Sequence, residues 1–272
     1  MTPRASLPAD GVGFDAPGDE TRPEEVAMWV ERYFDLLIER LRTVKTTQRQ
    51  ALESAAAAIA ESLARGGMVY VFGCGHSAAL SMDIFYRAGG LMLVQPIFAE
   101  QTLLHRRPVT ETSEWERREG WAPALFATSG ARAGDVMIVL STSGRNGAPI
   151  DMALSAKEAG LTTVAVTSLT YAGSVPSRHS SGKRLHEIAD IVIDNHSRPG
   201  DAEVELAGLA QRVGPMSSAV GSAILQSVVV QAVALLIERG ETPPVFVSAN
   251  LPEGDAHNQA MLEKYRDRIR YL

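Results

Sequence analysis

Residues 68–77 read MVYVFGCGHS, and residues 136–147 read VMIVLSTSGRNG. Each is an unbroken apolar run followed at once by glycine and small polar residues. A run without alternation predicts a strand buried on both faces, as in a parallel sheet. Glycine and serine directly after it predict a tight turn into a helix. The same texture continues on either side. Ser77–Ala88 predicts a helix stopped by Gly89 and Gly90, and Leu91–Val94 predicts a second strand. Residues 105–120 are polar and predict a loop that merges into a helix over 113–128. Val136–Leu140 is the third strand, introduced by the turn Gly134-Asp135, and Ala148–Ala159 is a helix stopped by Gly160. Leu161–Val166 and Ile191–Ile193 complete the strands. Strands alternating with helices predict an α/β fold of three layers, a parallel sheet with helices on both faces.

Upstream, Val26, Val30, Tyr33, Leu37, Leu41 and Val44 recur every three or four residues and predict one buried helical face. Thr21 and Glu24 have capping-box spacing at its start. An Ala-rich helix follows from Thr46 to Arg65 and stops at Gly66-Gly67. The expected organisation is a disordered leader over 1–20, a helical extension over 21–66 and the α/β domain over 67–272.

The chain has 272 residues, 45% of them hydrophobic and 21% charged, which suits a globular domain with a sizeable core. Its net charge of -6 gives no footprint for nucleic acid or an anionic membrane surface. Cys74 is the one cysteine, so no intrachain disulfide and no cysteine cluster for zinc can form. Residues 1–22 lack the apolar core of a secretion signal, and a cytoplasmic location is expected. Val213–Ile237 carries no charge and is long enough to span a bilayer. Pro215, Ser217, Ser218, Ser222, Gln226, Ser227 and Gln231 within it argue instead for a buried helix of a soluble domain.

In open α/β sheets, ligands bind beyond the carboxyl ends of the strands. Gly73–Ser77 and Ser141–Gly147 stand at two such ends. Glycine lets the backbone approach an anion closely. Serine and threonine hydroxyls donate to phosphate oxygens, and the unpaired amides of the following helix point at the same place. A plain helix cap needs one hydroxyl. Ser141, Ser143 and Asn146 within six residues offer more than that. Gly73, Gly75 and Ala78 also match a dinucleotide fingerprint. That reading needs an acid at the end of the second strand, where Leu93-Val94-Gln95-Pro96 has none.

Gly73–Ser77, the Ser141–Gly144 element behind an apolar strand, and Ala165–Ser168 together resemble the SIS (sugar isomerase) phosphosugar-binding domain, over about 65–240. Segments 177–190 (SRHSSGKRLHEIAD) and 247–258 (VSANLPEGDAHN) are similar to a bacterial SIS subfamily labelled phosphoheptose or phosphosugar isomerase. The resemblance implies a flavodoxin-like sheet of five parallel strands and a homodimer or homotetramer. In the isomerase domain of glucosamine-6-phosphate synthase, the positions matching Ser77, Ser141, Ser143 and Asn146 hold the sugar phosphate. Asn146 replaces a threonine there and keeps a donor. Thr142 stands where glutamine is frequent and contacts through its backbone. Gly75, Gly144 and Ser168 complete the implied binding set.

Aldose–ketose isomerisation moves a proton between C1 and C2 through an enediol and needs a base near C2 and an acid for ring opening. SIS isomerases commonly use a glutamate, often with a histidine that can come from a neighbouring subunit. Glu100, just past the second strand, His76, inside the first loop, and His257, before the last helix, are the candidates. A polar loop at His179, Ser180, Ser181 and Lys183 could close over the sugar. Glu203 and Glu205 alternate with apolar residues and predict a strand or hairpin with its charges outward; Glu205 is a lesser base candidate. Ser218, Ser222 and Gln226 form a polar stripe that could face ligand, partner or a packed helix. No organic cofactor is expected. Phosphoheptose isomerases of this fold can carry zinc, though no local spacing such as His-x-x-x-His announces a site. The alternatives are a binding module without turnover, or another SIS chemistry on an amino sugar phosphate: deamination, epimerisation or ether cleavage.

Overall fold

The computed structural model describes residues 23–272, with side chains from residue 28 onward. The leader and the Thr21–Glu24 capping box lie outside the described residues. The chain opens with two helices, α1 (Pro23–Thr47) and α2 (Arg49–Ala64). The main domain then runs β1 (Val69–Gly73), α3 (His76–Asp83), β2 (Val94–Pro96), α4 (Glu111–Arg117), α5 (Ala122–Thr128), β3 (Val136–Leu140) and α6 (Gly147–Glu158). It continues as β4 (Thr162–Thr167), α7 (Leu169–Ser174), β5 (Ile191–Asp194), β6 (Ala202–Val204), β7 (Val213–Pro215), α8 (Ser217–Glu238) and α9 (Gly254–Lys264).

The main sheet has five parallel strands in the order β2-β1-β3-β4-β5. Every residue of β1 and β3 is buried, as their unbroken apolar runs require. Helices α2, α3 and α8 cover one face; α5 and α6 cover the other. The strand order reverses between β1 and β3, where Gly73 lies opposite Leu140. Both Gly/Ser loops therefore leave the sheet side by side, at the switch point where such folds open a crevice.

Helix α2 is a layer of the domain rather than an addition to it. Ala55, Ala56 and Ala60 are fully buried, and their small side chains let the helix lie close on the sheet and on α8. The stripe on α8 serves the same packing: Ser222 Oγ and Gln226 Nε2 both donate to Asp83 Oδ2 of α3, at 2.7 and 3.2 Å. At the crossing, a Cβ on Gly221 would come within 2.6 Å of Leu80 Cδ1. Val213–Pro215, expected within that helix, instead forms strand β7, antiparallel to β6.

Three other expectations are corrected. Strand β2 begins at Val94 because Leu91 pairs with Val245 and the Met92 amide donates to Pro244 O. The returning C-terminal segment occupies those positions. The helix expected over 113–128 is broken at 118–121, where Gly120 takes φ +86° and donates its amide to Asp151 Oδ2 at 2.6 Å. Glu203 points inward, not outward: it is buried and pairs with Arg40 of α1 at 2.8 Å. Glu205 does lie outside, paired with Arg212.

Candidate functional site

Loop one turns between β1 and α3. Gly75 takes φ +57° and donates its amide to Thr102 O at 2.9 Å. A Cβ on Gly73 would fall within 2.9 Å of Ser77 backbone and Cβ atoms, so only glycine lets the helix start fold back this tightly. Ser77 is half-buried in this turn and His76 is exposed. Cys74 is buried, and burial pushes its thiol far up, so it holds its proton.

Loop two turns between β3 and α6. Gly144 takes φ +59°, and its amide donates to the Ser141 carbonyl at 3.1 Å and to Ser141 Oγ at 3.3 Å. A Cβ there would meet Thr167 Oγ1 at 2.8 Å. The Thr142 carbonyl accepts from the Ser168 amide at 2.9 Å, which ties loop two to the end of β4. Ser143 is half-buried. Ser168 is fully buried; its hydroxyl donates to Ser197 O and accepts from the Tyr171 amide. Its side chain therefore caps α7 and does not face a ligand, contrary to the expectation.

Between the two loops stands a residue that the sequence reading missed. Helix α4 packs on α6 and on the 3-10 turn Glu100–Thr102, so it roofs the crevice. From it, Glu116 accepts a hydrogen bond from Asn146 Nδ2 at 2.7 Å. Asn146 Oδ1 accepts from Arg178 Nη1 at 3.0 Å. Asn146 thus links Glu116 to Arg178 and keeps one Nδ2 hydrogen free to donate. Burial raises the Glu116 carboxyl above the ordinary range, against the opposing pull of Asn146, Arg117 and Arg178. The Glu116 charge in turn adds to the upward push on Cys74, so the acid adjoins loop one as well as loop two. A sequence signal existed only in part: an acid at the end of a short amphipathic stretch does not reveal that the stretch folds over the sheet edge.

The segment 177–183 is latched over the same end of the molecule. His179 Nε2 lies 3.0 Å from Asp151 Oδ1, and Nδ1 lies 2.8 Å from Ser181 Oγ. Glu119 accepts from the Ser180 amide and hydroxyl at 2.7 and 2.6 Å, and these bonds hold its pKa below the usual carboxylate range. Arg178, one residue away, is carried onto Asn146 by this latch.

The three catalytic candidates are not brought together. Glu100 is exposed and bonds to His105 Nε2 at 2.7 Å, beside loop one. His76 is exposed at the start of α3. His257 Nε2 lies 3.1 Å from Val245 O, in the segment that borders the amino end of β2. Within one chain it is at the far end of the sheet from both loops. Among the described residues, no group of three or more His, Cys, Asp or Glu side chains is placed to hold a metal ion.

A five-stranded parallel sheet with paired Gly/Ser loops at its switch point defines an SIS-type protein. The SIS domain family model matches residues 32–168, half of the chain. The UPF0309 protein of Geobacillus thermodenitrificans is 45% identical over 243 residues, covering 89% of this chain and 97% of that one. A UPF0309 protein of Shouchella clausii is 43% identical over 244 residues, 90% and 99% of the two chains. The chain belongs to this UPF0309 branch of the SIS domain family. Among solved structures, the phosphoheptose isomerase of Neisseria gonorrhoeae superposes with a TM-score of 0.53 over 77% of this chain and 99% of its own. At 14% identity, that likeness concerns the fold alone.

Proposed function

We propose that this chain binds a sugar phosphate in the crevice between β1 and β3 and interconverts its aldose and ketose forms through an enediol. The observation that carries the reading is Glu116, a half-buried carboxyl of raised pKa hydrogen-bonded to Asn146 of loop two. A proton-transfer group works best when its pKa is moved toward the working pH. The phosphate oxygens take hydrogen bonds from Ser77, Ser141 and Ser143 and from the amides that open α3 and α6. Glu116 takes the proton from C2 of the open-chain aldose and returns it to C1. In the same passage O1 gains a proton and O2 loses one, so the aldehyde becomes an alcohol and C2 becomes the ketone. Ring opening is assigned to the Glu100–His105 pair or to His76, which flank loop one. The working form is a homo-oligomer in the cytoplasm.

The test is NMR of a phosphosugar panel in D₂O, covering pentoses, hexoses, heptoses and amino sugars. The expected result is deuterium at C1 of the ketose or C2 of the aldose, with a new ketose or aldose signal, and both are lost in Glu116→Gln. Ligand broadening without exchange would leave a binding module. Release of ammonia or lactate would identify one of the other SIS chemistries.

A further inference from the structure

Three arginines meet where loop two faces α4. Arg145 lies within loop two, next to Asn146. Arg178 donates to Asn146 Oδ1 from its side chain and to Arg145 O from its amide, at 3.0 and 2.8 Å. Arg117 follows Glu116, whose carboxyl accepts from Asn146. The approach of these backbones is close: a Cβ on Gly147 would lie 2.8 Å from Arg117 O.

Among the described residues, none of the three has a carboxylate within ion-pair range. Their neighbours do find partners. Arg118 pairs with Glu114 and stacks on Trp115, and Arg106 pairs with Glu111. Arg145 Nε is moreover buried with no hydrogen-bond acceptor. A chain of net charge -6 thus presents three cations at one place, Arg117 and Arg178 exposed and Arg145 half-buried, with no carboxylate paired to them among the described residues. Desolvation first, and then the like charges of Arg145 and Arg117, lower the basicity of Arg178. Glu116, on the same side of loop two, is tied to Asn146 Nδ2 at 2.7 Å and not to any of the three guanidinium groups. Such an arrangement persists when an anion completes it, and guanidinium forks match carboxylate and phosphate alike.

The hydroxyls and helix amides of the two loops already suffice for one phosphate. We propose that Arg117, Arg145 and Arg178 form a second anion subsite, so that the sugar phosphate taken here carries another anionic group, a carboxylate or a second phosphate. The inference rests on the phosphosugar reading above and narrows its substrate class.

Calorimetry with four probes tests it: glucose 6-phosphate, fructose 6-phosphate, 6-phosphogluconate and fructose 1,6-bisphosphate. The probes with two anionic groups should bind at least about ten-fold tighter at 0.1 M salt, roughly the gain of one charge-assisted contact. A preference for 6-phosphogluconate alone assigns a carboxylate; one for the bisphosphate alone assigns a phosphate. The double variant R117Q/R178Q should reduce the preference to under about two-fold. The variant R49Q/R266Q removes the same charge from exposed, ion-paired sites and should keep it. Equal affinity for all four probes overturns the second subsite while sparing the phosphosugar reading. So does a preference that survives R117Q/R178Q. Failure of all four to bind counts against both.

Discussion

Glu116 holds opposed demands in one side chain. Function asks for a carboxyl that exchanges protons near neutral pH; folding disfavours a buried charge. Its raised pKa fixes the sign of the stability effect. Below about pH 4 the group is protonated folded and unfolded alike, and its contribution is fully present. As pH rises, the unfolded chain ionises first, so stability falls until the folded form ionises too. Glu116→Gln keeps the acceptor for Asn146 and removes the charge. It should cut C2 exchange by about 10²–10⁴-fold and raise the melting temperature at pH 7–8 by a few degrees, typical of relieving a functional-site compromise. Calorimetric melts across pH 4–8 should show the two proteins converging at the acid end. A variant that loses exchange but melts in parallel with the wild type at every pH would remove Glu116 from the buried-acid role. The serines make a simpler case. S141A together with S143A removes two hydroxyls from an anion, about 1.5 kcal/mol each, so phosphosugar affinity should fall about 100-fold with the circular dichroism unchanged. The position of those serines was legible, because a hydroxyl-dense turn directly after a buried strand is a local pattern. Glu116 was not, because its burial is decided by where α4 lands, and Ser168 was misread because a cap and a ligand contact use the same residue type.

At the level of elements, the strands were legible wherever their neighbours are the strands of the same sheet. β1, β3 and β4 are apolar runs with both faces covered, and local pattern sufficed. β2 was misplaced because its upstream residues pair with Val245, more than 150 residues away in sequence. The stretch 113–128 reads as one helix because nothing local announces that Gly120 turns toward Asp151. That break matters for function. It lets α4 pack against α6 at Gly147, where Arg117 O and Arg118 backbone atoms stand 2.8 Å from an added Cβ. Gly147→Ala should therefore push α4 outward and carry Glu116 with it. The expected cost is about 1–3 kcal/mol of stability, with a fall in exchange rate that persists under conditions where the variant is fully folded. Full activity in folded Gly147→Ala would dissociate the α4 position from catalysis. The latch 177–183 supports a parallel argument. His179 is a positioning residue: it touches Asp151 and Ser181 and carries Arg178 into place. His179→Ala leaves the buried Asp151 short of a partner, a local cost of about 1–3 kcal/mol. Amide exchange across 177–183 should accelerate while the strands keep their protection, and KM should rise more than kcat falls.

At the scale of the whole molecule, the proposed homo-oligomer has a candidate contact surface on α1. Val30, Phe34 and Ile38 recur every four residues along α1 and are all exposed, while Tyr33, Leu36 and Leu37 of the same helix pack inward. Val230 of α8 is 69% exposed. Single exposed apolar side chains are ordinary, but a stripe along a long helix suits a contact between copies of the chain. Self-association through α1 also bears on His257, which a single chain holds at the amino end of β2, remote from its own loops. Light scattering should give at least a dimer, and V30E/F34E, which leaves the inward face of α1 intact, should yield a folded monomer. If His257 acts in a neighbour's crevice, His257→Ala and Glu116→Gln should each be nearly inactive, and a mixture of the two, dissociated and reassociated, should recover part of the turnover. In a dimer with random exchange, half of the assemblies are mixed. Each mixed dimer holds one crevice with both residues native, so recovery should approach about a quarter of the wild-type rate by the statistics of isologous pairing. A mixture as inactive as its components would place the missing acid on the same chain, at His76 or at the Glu100–His105 pair, and would leave α1 as a structural interface only.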